Sequence, residues 1–555
     1  MVQIKLLDDR FFAVSFNYDP LLIQKIKLCG GVWNPVNRYW CLPLSAYPSF
    51  KSVFGRHDVL EARYYELKSK EEQEIREKWD KVKNGILPDK FKTLSLKIQP
   101  LAYQKTGISF LYHFKKALLN FDLGLGKTFI SIVASLLECG EDDKVLIVCP
   151  SSLKYSWANE IEKFTDEKYV IVEGDRAKRK NLYHANVKFI ITSYELVRLG
   201  YDIDIIRKLK WKVLILDEAT RFKNFKTKTN KNLRKIKSLN IYGLTGCAVE
   251  NRITDLYGIM KVINSKILGL WKDFKNNYLI IRLQTYDGTN YFEEIVGYKN
   301  LEKLKEDFKR FLYKLEKREV LKELPPRQDL IYKIEMSESQ SRLHSAISNK
   351  IDEGYNPLAV ISELRQVVNF PEQIGYDVES AKFNELVKIL EDIDDKVIIF
   401  TFYVKSMKIL ERKLGEIFKQ RKIFIVSGEL SDKEKQDVIN KFKESEKGSI
   451  LISTDCLAYG QNLQFCNIII NYDLQWNPIV MENRIGRIDR LGQRNPVFVI
   501  YLITKNSVEE RIWKILSEKK ELIDKLMELN KAIKVEYVDK KFLAWLLKGG
   551  EYGCD

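Results

Sequence analysis

The sequence predicts an α/β protein made of two tandem lobes with mostly parallel sheets, preceded by a small α+β module. Three observations predict it. Two successive series of short, near-continuous apolar runs alternate with helical patterns, and such runs fit parallel strands buried on both faces. A glycine-rich stretch, Asp122-Leu-Gly-Leu-Gly-Lys-Thr128, separates an apolar run from a helical pattern, the order expected of a phosphate-binding loop. Residues 1–60 carry a different, tryptophan-bearing pattern, set off from the rest by a strongly charged stretch.

In chain order, Phe11–Phe16 reads as a strand and Pro20–Leu28 as a short amphipathic helix stopped by Gly30-Gly31. Val32–Pro43 holds Trp33 and Trp40 on either side of a turn and predicts a hairpin. Both tryptophans are expected in the core of this module, which has few other large residues to bury. Residues 61–93 form a connector, chiefly one solvated helix over Ala62–Lys83. The first lobe, 94–335, has strands at Val145–Cys149, Lys188–Thr192, Val213–Leu216 and Ile241–Thr245, with a helix at Phe129–Glu138 and, further on, a helical insertion. The second, 336–530, has strands at Lys396–Phe400, Lys422–Val426, Ser449–Ser453, Asn467–Asn471 and Val497–Tyr501. A tail, 531–555, carries the apolar patch Phe542–Leu547.

The chain has 555 residues, 45% of them hydrophobic, enough for several domains of roughly 100–200 residues. No apolar run approaches the roughly 20 residues of a membrane span, and the N-terminus lacks the pattern of a signal peptide. A soluble, intracellular protein is expected. Eight scattered cysteines without a Cys-x-x-Cys pair, and four distant histidines, argue against a zinc site or a disulfide framework. The formal charge of +17 favours a polyanionic partner through counterion release, or simply marks a lysine-rich solvated surface.

Three motifs carry chemistry. In the glycine-rich loop, Gly124 and Gly126 let backbone N–H groups approach phosphate oxygens, Lys127 would reach the β/γ-phosphates and Thr128 would ligate Mg²⁺. Asp217 follows a buried strand and would hold the metal; Glu218 beside it would be the base for the attacking water. The bland reading of that pair is a helix N-cap after a strand. Arg487 and Arg490 are three apart and would share a helical face. If presented to a nucleotide on the other lobe they would stabilise transition-state charge; alternatively they pair with Glu482 and Asp489 on a basic surface.

These motifs, in this order, resemble the Swi/Snf-type branch of the superfamily-two helicase-like ATPases over residues 95–520. Pro100–Gly107 resembles the Q motif, which makes Gln104 the adenine reader; Asp122–Thr128 resembles motif I. Val148–Leu153 with Trp157 and Glu160 resembles motif Ia, Thr192–Glu195 motif Ib, Asp217–Asn224 motif II with its extension, and Leu244–Asn251 motif III. In the second lobe Lys396–Thr401 resembles motif IV, Ser453–Gln464 motif V and Asn483–Gln493 motif VI. The resemblance implies RecA-like lobes, ATP and Mg²⁺ between them, and translocation along double-stranded DNA. It places Gly460 at the nucleotide, and Pro150, Ser151, Ser152, Thr192, Ser193, Ser453 and Thr454 at the phosphate backbone. Departures stand at Thr220 (usually His), Cys247-Ala248 (usually Thr-Pro) and Asn483 (usually Gln), positions that bear on coupling to nucleic acid.

Phe16, Tyr18, Asp19, Lys25-Ile26-Lys27, Gly31, Trp33, Arg38, Trp40 and Leu42 resemble the HARP domain of annealing helicases. That resemblance implies forked or branched DNA as partner, with Lys25, Lys27 and Arg38 as contacts. The expectation is a monomeric DNA-dependent ATPase of a bacterium or a phage-infected cell. The rivals are a superfamily-two RNA helicase, opposed by Leu244-Thr-Gly246 and the motif II extension, and a non-catalytic DNA-binding scaffold, opposed by Lys127 and Glu218.

Overall fold

The computed structural model describes residues 2–246, 253–285, 291–321, 325–350, 352–458, 463–490 and 492–517. Gly460, the Cys247-Ala248 departure and the tail after Ser517 lie outside the described residues. The chain divides into two units, Met1–Asn84 and Gly85–Asp555.

In the first unit four strands, β1 (Gln3–Leu6), β2 (Phe11–Ser15), β3 (Val32–Asn34) and β4 (Tyr39–Pro43), form an antiparallel sheet in the order β1-β2-β4-β3. The helix Pro20–Leu28 begins where expected: Asp19 accepts from the Leu21 and Leu22 N–H groups, and Pro20 stands at a position where no N–H is needed. The core gathers Phe12, Val14, Ile26, Trp40, Leu42 and Phe50. The expectation for the tryptophans needs correcting. Trp40 is buried, but Trp33 is 45% exposed, its ring leaning on Trp40 at 5.4 Å; β3 is a three-residue edge strand whose Val32 and Trp33 are both exposed. The charged helix runs from Asp58 to Lys83, and Leu60, Tyr64 and Leu67 attach its first turns to this core. Its beginning therefore belongs to the module, a feature hidden by the charge of its exposed side.

The first lobe contains β5 (Lys116–Phe121), β6 (Val145–Cys149), β7 (Tyr169–Ile171), β8 (Phe189–Ser193), β9 (Trp211–Leu216), β10 (Ser238–Thr245) and β13 (Leu312–Leu315). They pair in parallel in the order β13-β5-β10-β9-β6-β8-β7. The insertion between β10 and β13, expected to be helical, holds the helices Ile253–Ile263, Trp271–Tyr278 and Leu301–Phe308 but also an antiparallel hairpin, β11 (Leu279–Thr285) with β12 (Tyr291–Tyr298). The second lobe holds β14 (Arg327–Ile334), β15 (Val397–Phe400), β16 (Ile423–Val426), β17 (Ile450–Ser453), β18 (Ile468–Asn471) and β19 (Val497–Thr504). All pair in parallel, in the order β14-β19-β18-β15-β17-β16. Alternate residues of β15 divide between the cores on the two sheet faces, Ile398 and Phe400 on one, Val397 and Ile399 on the other, as a sheet covered on both sides requires.

Of the described cysteines, Cys29, Cys139, Cys149 and Cys466 are buried and all six are free thiols. Among the described residues no helix is long and apolar enough to cross a membrane.

The second lobe also carries a pH-sensitive position. His344 is 5% exposed, its Nε2 has no hydrogen-bond partner among the described residues, and burial first, then Arg511, lower its pKa from 6.5 to about 4. The unfolded chain thus binds this proton more readily than the folded one. The stability contributed by neutral His344 is present above pH 6.5 and is lost as pH falls toward 4, by about 3 kcal/mol in all. In His344→Gln the acid-induced fall in denaturation midpoint over this window should be correspondingly smaller than in the wild type.

Candidate nucleotide site

β5 and the helix Lys127–Glu138 position the phosphate loop. Gly124 and Gly126 adopt φ of +87° and +74°, a left-handed backbone open to glycine at little cost. The loop is also crowded. A Cβ at Gly126 would come within 2.6 Å of Gln104 Nε2, and one at Gly124 within 2.5 Å of Arg490 Cβ. Gln104, whose Oε1 accepts from the Leu101 N–H at 2.9 Å, therefore lies directly against the loop. Lys127 donates to the carbonyls of Phe121 (2.7 Å) and Asp122 (3.1 Å). Its ammonium is held inside the loop by backbone oxygens, where a phosphate would compete for it. Burial lowers its pKa to about 8 against the opposing pull of Glu218, Asp217 and Asp122.

β9 delivers Asp217 to the same place. One carboxylate oxygen accepts from the Trp157 indole N–H at 2.8 Å, the other from the Glu218 N–H at 2.9 Å. The Tyr194 hydroxyl donates to the Asp217 carbonyl at 2.5 Å. Glu218 has φ of +49°, a conformation that costs a non-glycine residue about 1–3 kcal/mol and concentrates at functional sites. Burial raises the pKa of both acids, and the charge of Asp217 helps to lift Glu218 to about 7. A bound divalent cation would favour the ionised forms.

The donor set fits Mg²⁺. Thr128 at the loop's end and Asp217 supply hard oxygens, and among the described residues no group of three or more His, Cys, Asp or Glu forms a protein cage. Mg²⁺ with nucleotide is typically held by one or two protein oxygens together with substrate phosphates and water. The ion would neutralise phosphate charge; this chain's part is to hold Asp217 and Thr128 beside the loop.

The second lobe closes the site. The helix Pro478–Ile485 ends at Gly486, and Arg487 and Arg490 follow in turns. The expected shared helical face is thus corrected: bonds from Arg487 N to Arg484 O and Ile488 N to Ile485 O end the helix before either arginine. Glu482 binds Arg327 at 2.9 Å, and Asp489 binds Lys317 at 3.2 Å. Lys317 in turn donates its backbone N–H to Asp122 at 2.9 Å, so it ties the phosphate loop to the arginine turn. Gly486 packs on Leu123, where a Cβ would stand 2.8 Å from Cδ1. Arg487 is 8% exposed and its charge acts on both Glu218 and Lys127. Burial lowers the pKa of Arg490 against the pull of Glu160, and among the described residues its buried Nε has no partner.

Behind this turn, Arg484 is fully buried, donating to Asp455 (2.7 Å) and Asn471 (3.0 Å). Asp473 accepts from Thr401, the Phe402 N–H and Asn369 at 2.7–2.9 Å. These bonds join the motif IV, V and VI stretches into one polar core.

The backbone candidates divide by burial. Ser151 and Ser152 are exposed and Thr454 half-buried, whereas Pro150, Ser193, Thr192 and Ser453 are buried. The Thr192 hydroxyl pairs with Tyr183 at 2.9 Å, the Ser453 hydroxyl donates to Val426 O at 2.8 Å, and Ser193 caps the following helix. Their side chains hold loops in place. In the first unit Lys25, Lys27 and Arg38 are exposed.

Two family models match the chain: an SNF2-related domain over residues 103–374 and a helicase conserved C-terminal domain over 381–492. The chain belongs to the SNF2-related, SWI/SNF-type helicase-like ATPase family. Among relatives, the Bacillus subtilis protein YwqA, named as an ATP-dependent helicase/translocase, is 28% identical over 77% of this chain and 48% of its own length. The ATP-dependent DNA helicase DDM1 of Arabidopsis thaliana is 27% identical over 74% of this chain and 60% of its own length. The chain spans about half the length of the curated relatives it matches. A solved structure, the Sulfolobus solfataricus SWI2/SNF2 ATPase core in complex with dsDNA, is 26% identical, covers 79% of this chain and 94% of its own, and aligns with a TM-score of 0.39.

Trp157 is the site residue to which the sequence assigned no role. A hydrogen bond to a charged group is worth about 1.5–3 kcal/mol. Trp157→Phe should therefore lower ATP turnover by about tenfold and raise the Mg²⁺ concentration needed for half-maximal nucleotide binding. A purely packing role would lower the melting temperature and leave that Mg²⁺ dependence unchanged.

Proposed function

We propose that this protein is a DNA-dependent ATPase that translocates along duplex DNA, acting as a monomer and preferring forked or branched substrates. The observation that carries the reading is the joint site. Lys127, Asp217 and Glu218 come from one lobe, and Arg487 and Arg490 are brought to them by the other. ATP with Mg²⁺ bound there would draw the lobes together, and hydrolysis would release them, which is how a nucleotide cycle becomes movement. The names of the relatives, an ATP-dependent helicase/translocase and an ATP-dependent DNA helicase, support DNA as the track. Bacterial relatives support a bacterial or phage-infected cell as its setting.

The fork preference is assigned to the first unit. Half-exposed Trp33, with exposed Lys25, Lys27 and Arg38 on the same module, offers a ring to unpaired bases and cations to phosphates. The test is ATP hydrolysis measured without nucleic acid and with single-stranded, duplex and forked DNA and RNA. Strongest stimulation by duplex or forked DNA is expected; stimulation by RNA alone would refute the proposal. Trp33→Ala with Lys25→Ala and Lys27→Ala should abolish the advantage of forked over plain duplex DNA and leave the duplex rate intact.

A further inference from the structure

Directly after Glu218 the chain carries eight lysines and arginines and no acidic residue until Glu250. The structure shows how this arm is built. Arg221 lies on the 3-10 turn Ala219–Phe222, Lys226 in the next loop, and Lys228 and Lys231 on the helix Lys228–Leu233, three apart and so on one face. All four are exposed. Lys223, by contrast, faces Asp255 at 3.8 Å. Among the described residues Lys226, Lys228 and Lys231 have no carboxylate at ion-pair distance.

The arm's backbone is held firmly. The buried Asn230 amide donates to Phe222 O (2.7 Å) and Gly258 O (2.8 Å). Phe225 packs on Trp271 and Tyr257, with ring centroids 4.8 and 5.4 Å away. The buried Asn232 amide donates to Val197 O at 3.0 Å, so the arm lies beside the helix Tyr194–Arg198, which begins within the motif Ib stretch. Unpaired like charges on a rigid surface repel one another, and a polyanion relieves that repulsion.

We infer that Arg221, within the motif II extension, and Lys226, Lys228 and Lys231 beyond it form a contact surface for the phosphate backbone of duplex DNA, continuous with the helix Tyr194–Arg198. The inference rests on the DNA-motor reading and extends it. Only the short turn Ala219–Phe222 separates this surface from Glu218, so a phosphate held here would bear on the turn that orients the base.

The test uses the full chain with Lys226→Gln, Lys228→Gln and Lys231→Gln together, and a fluorescent duplex whose binding is followed by anisotropy across a salt series. Each phosphate contact contributes about −0.9 to the slope of log Kobs against log[salt]. The triple variant should show a slope shallower by roughly 2–3, with binding weaker by about ten- to a hundredfold near 0.1 M salt. ATP hydrolysis without DNA and the melting temperature should match the wild type. A control with Lys168→Gln, Lys208→Gln and Lys210→Gln removes equal charge from the opposite edge of the parallel sheet, and its slope should stay at the wild-type value. An unchanged slope in the first variant, or an equal loss in the control, would overturn the inference and leave the motor reading standing. A wild-type protein that binds no duplex DNA would overturn both.

Discussion

Arg487→Ala and Arg490→Ala are each expected to lower ATP turnover by about 10³-fold, the low end of what an arginine at a transferring phosphoryl group contributes, with nucleotide affinity changed only a few-fold. The reasoning starts from where the turn lies. Gly486 on the Leu123 side chain and Gly124 against Arg490 bring the two lobes into close contact, and Lys317 fastens Asp489 beside the loop that Asp122 opens. Arg487 is thereby buried within electrostatic reach of Glu218 and Lys127. A second cation beside Lys127 is unfavourable until phosphate charge arrives, so its contribution is realised chiefly with nucleotide bound and grows as charge builds on the transferring group. Single-turnover hydrolysis and equilibrium binding of a fluorescent nucleotide, measured on the same variants, check the split. A variant that loses binding and turnover in equal proportion would show that the arginine serves nucleotide affinity alone.

The parts of this site differ in how far the sequence revealed them. The phosphate loop and the acid pair were legible because each lies beside a buried strand whose apolar run marks it, β5 before Asp122 and β9 before Asp217. The arginine pair was legible as a motif, but its geometry was not. Spacing suggested a helical face, and Gly486 ends the helix one residue earlier. Lys317 carried no signal, since it reaches the site only through the pairing of β13 with β5, 194 residues apart in sequence at Leu312 and Leu118. β7, only three residues long, and β14, whose burial is partial and whose sequence mixes polar with apolar residues, left no continuous apolar run to read. The hydroxyls of Thr192 and Ser453 show the converse. Their place in motif stretches suggested phosphate contact, while tertiary packing commits them to Tyr183 and Val426.

Glu218→Gln should reduce ATP turnover by about 10²–10⁴-fold, the range for loss of a positioned general base, while ATP and duplex DNA both still bind. The substitution keeps the side chain's length and shape and removes its capacity to accept a proton from water. Asp217 remains, held by Trp157 and by the residue 218 N–H, so metal and nucleotide keep their place. The backbone at residue 218 is already left-handed in the wild type, and Gln neither relieves nor adds to that cost. Stability should therefore be nearly unchanged, which separates a chemical effect from collapse of the turn Ala219–Phe222. The variant would arrest the motor in its ATP-bound state, with the arginine turn drawn against the phosphate loop. Mixing it with ATP and duplex DNA should give a long-lived complex whose release requires nucleotide dissociation, measurable by competition with unlabelled ATP. Hydrolysis at an undiminished rate would remove Glu218 from the role of base and leave the water to be activated by the phosphate itself.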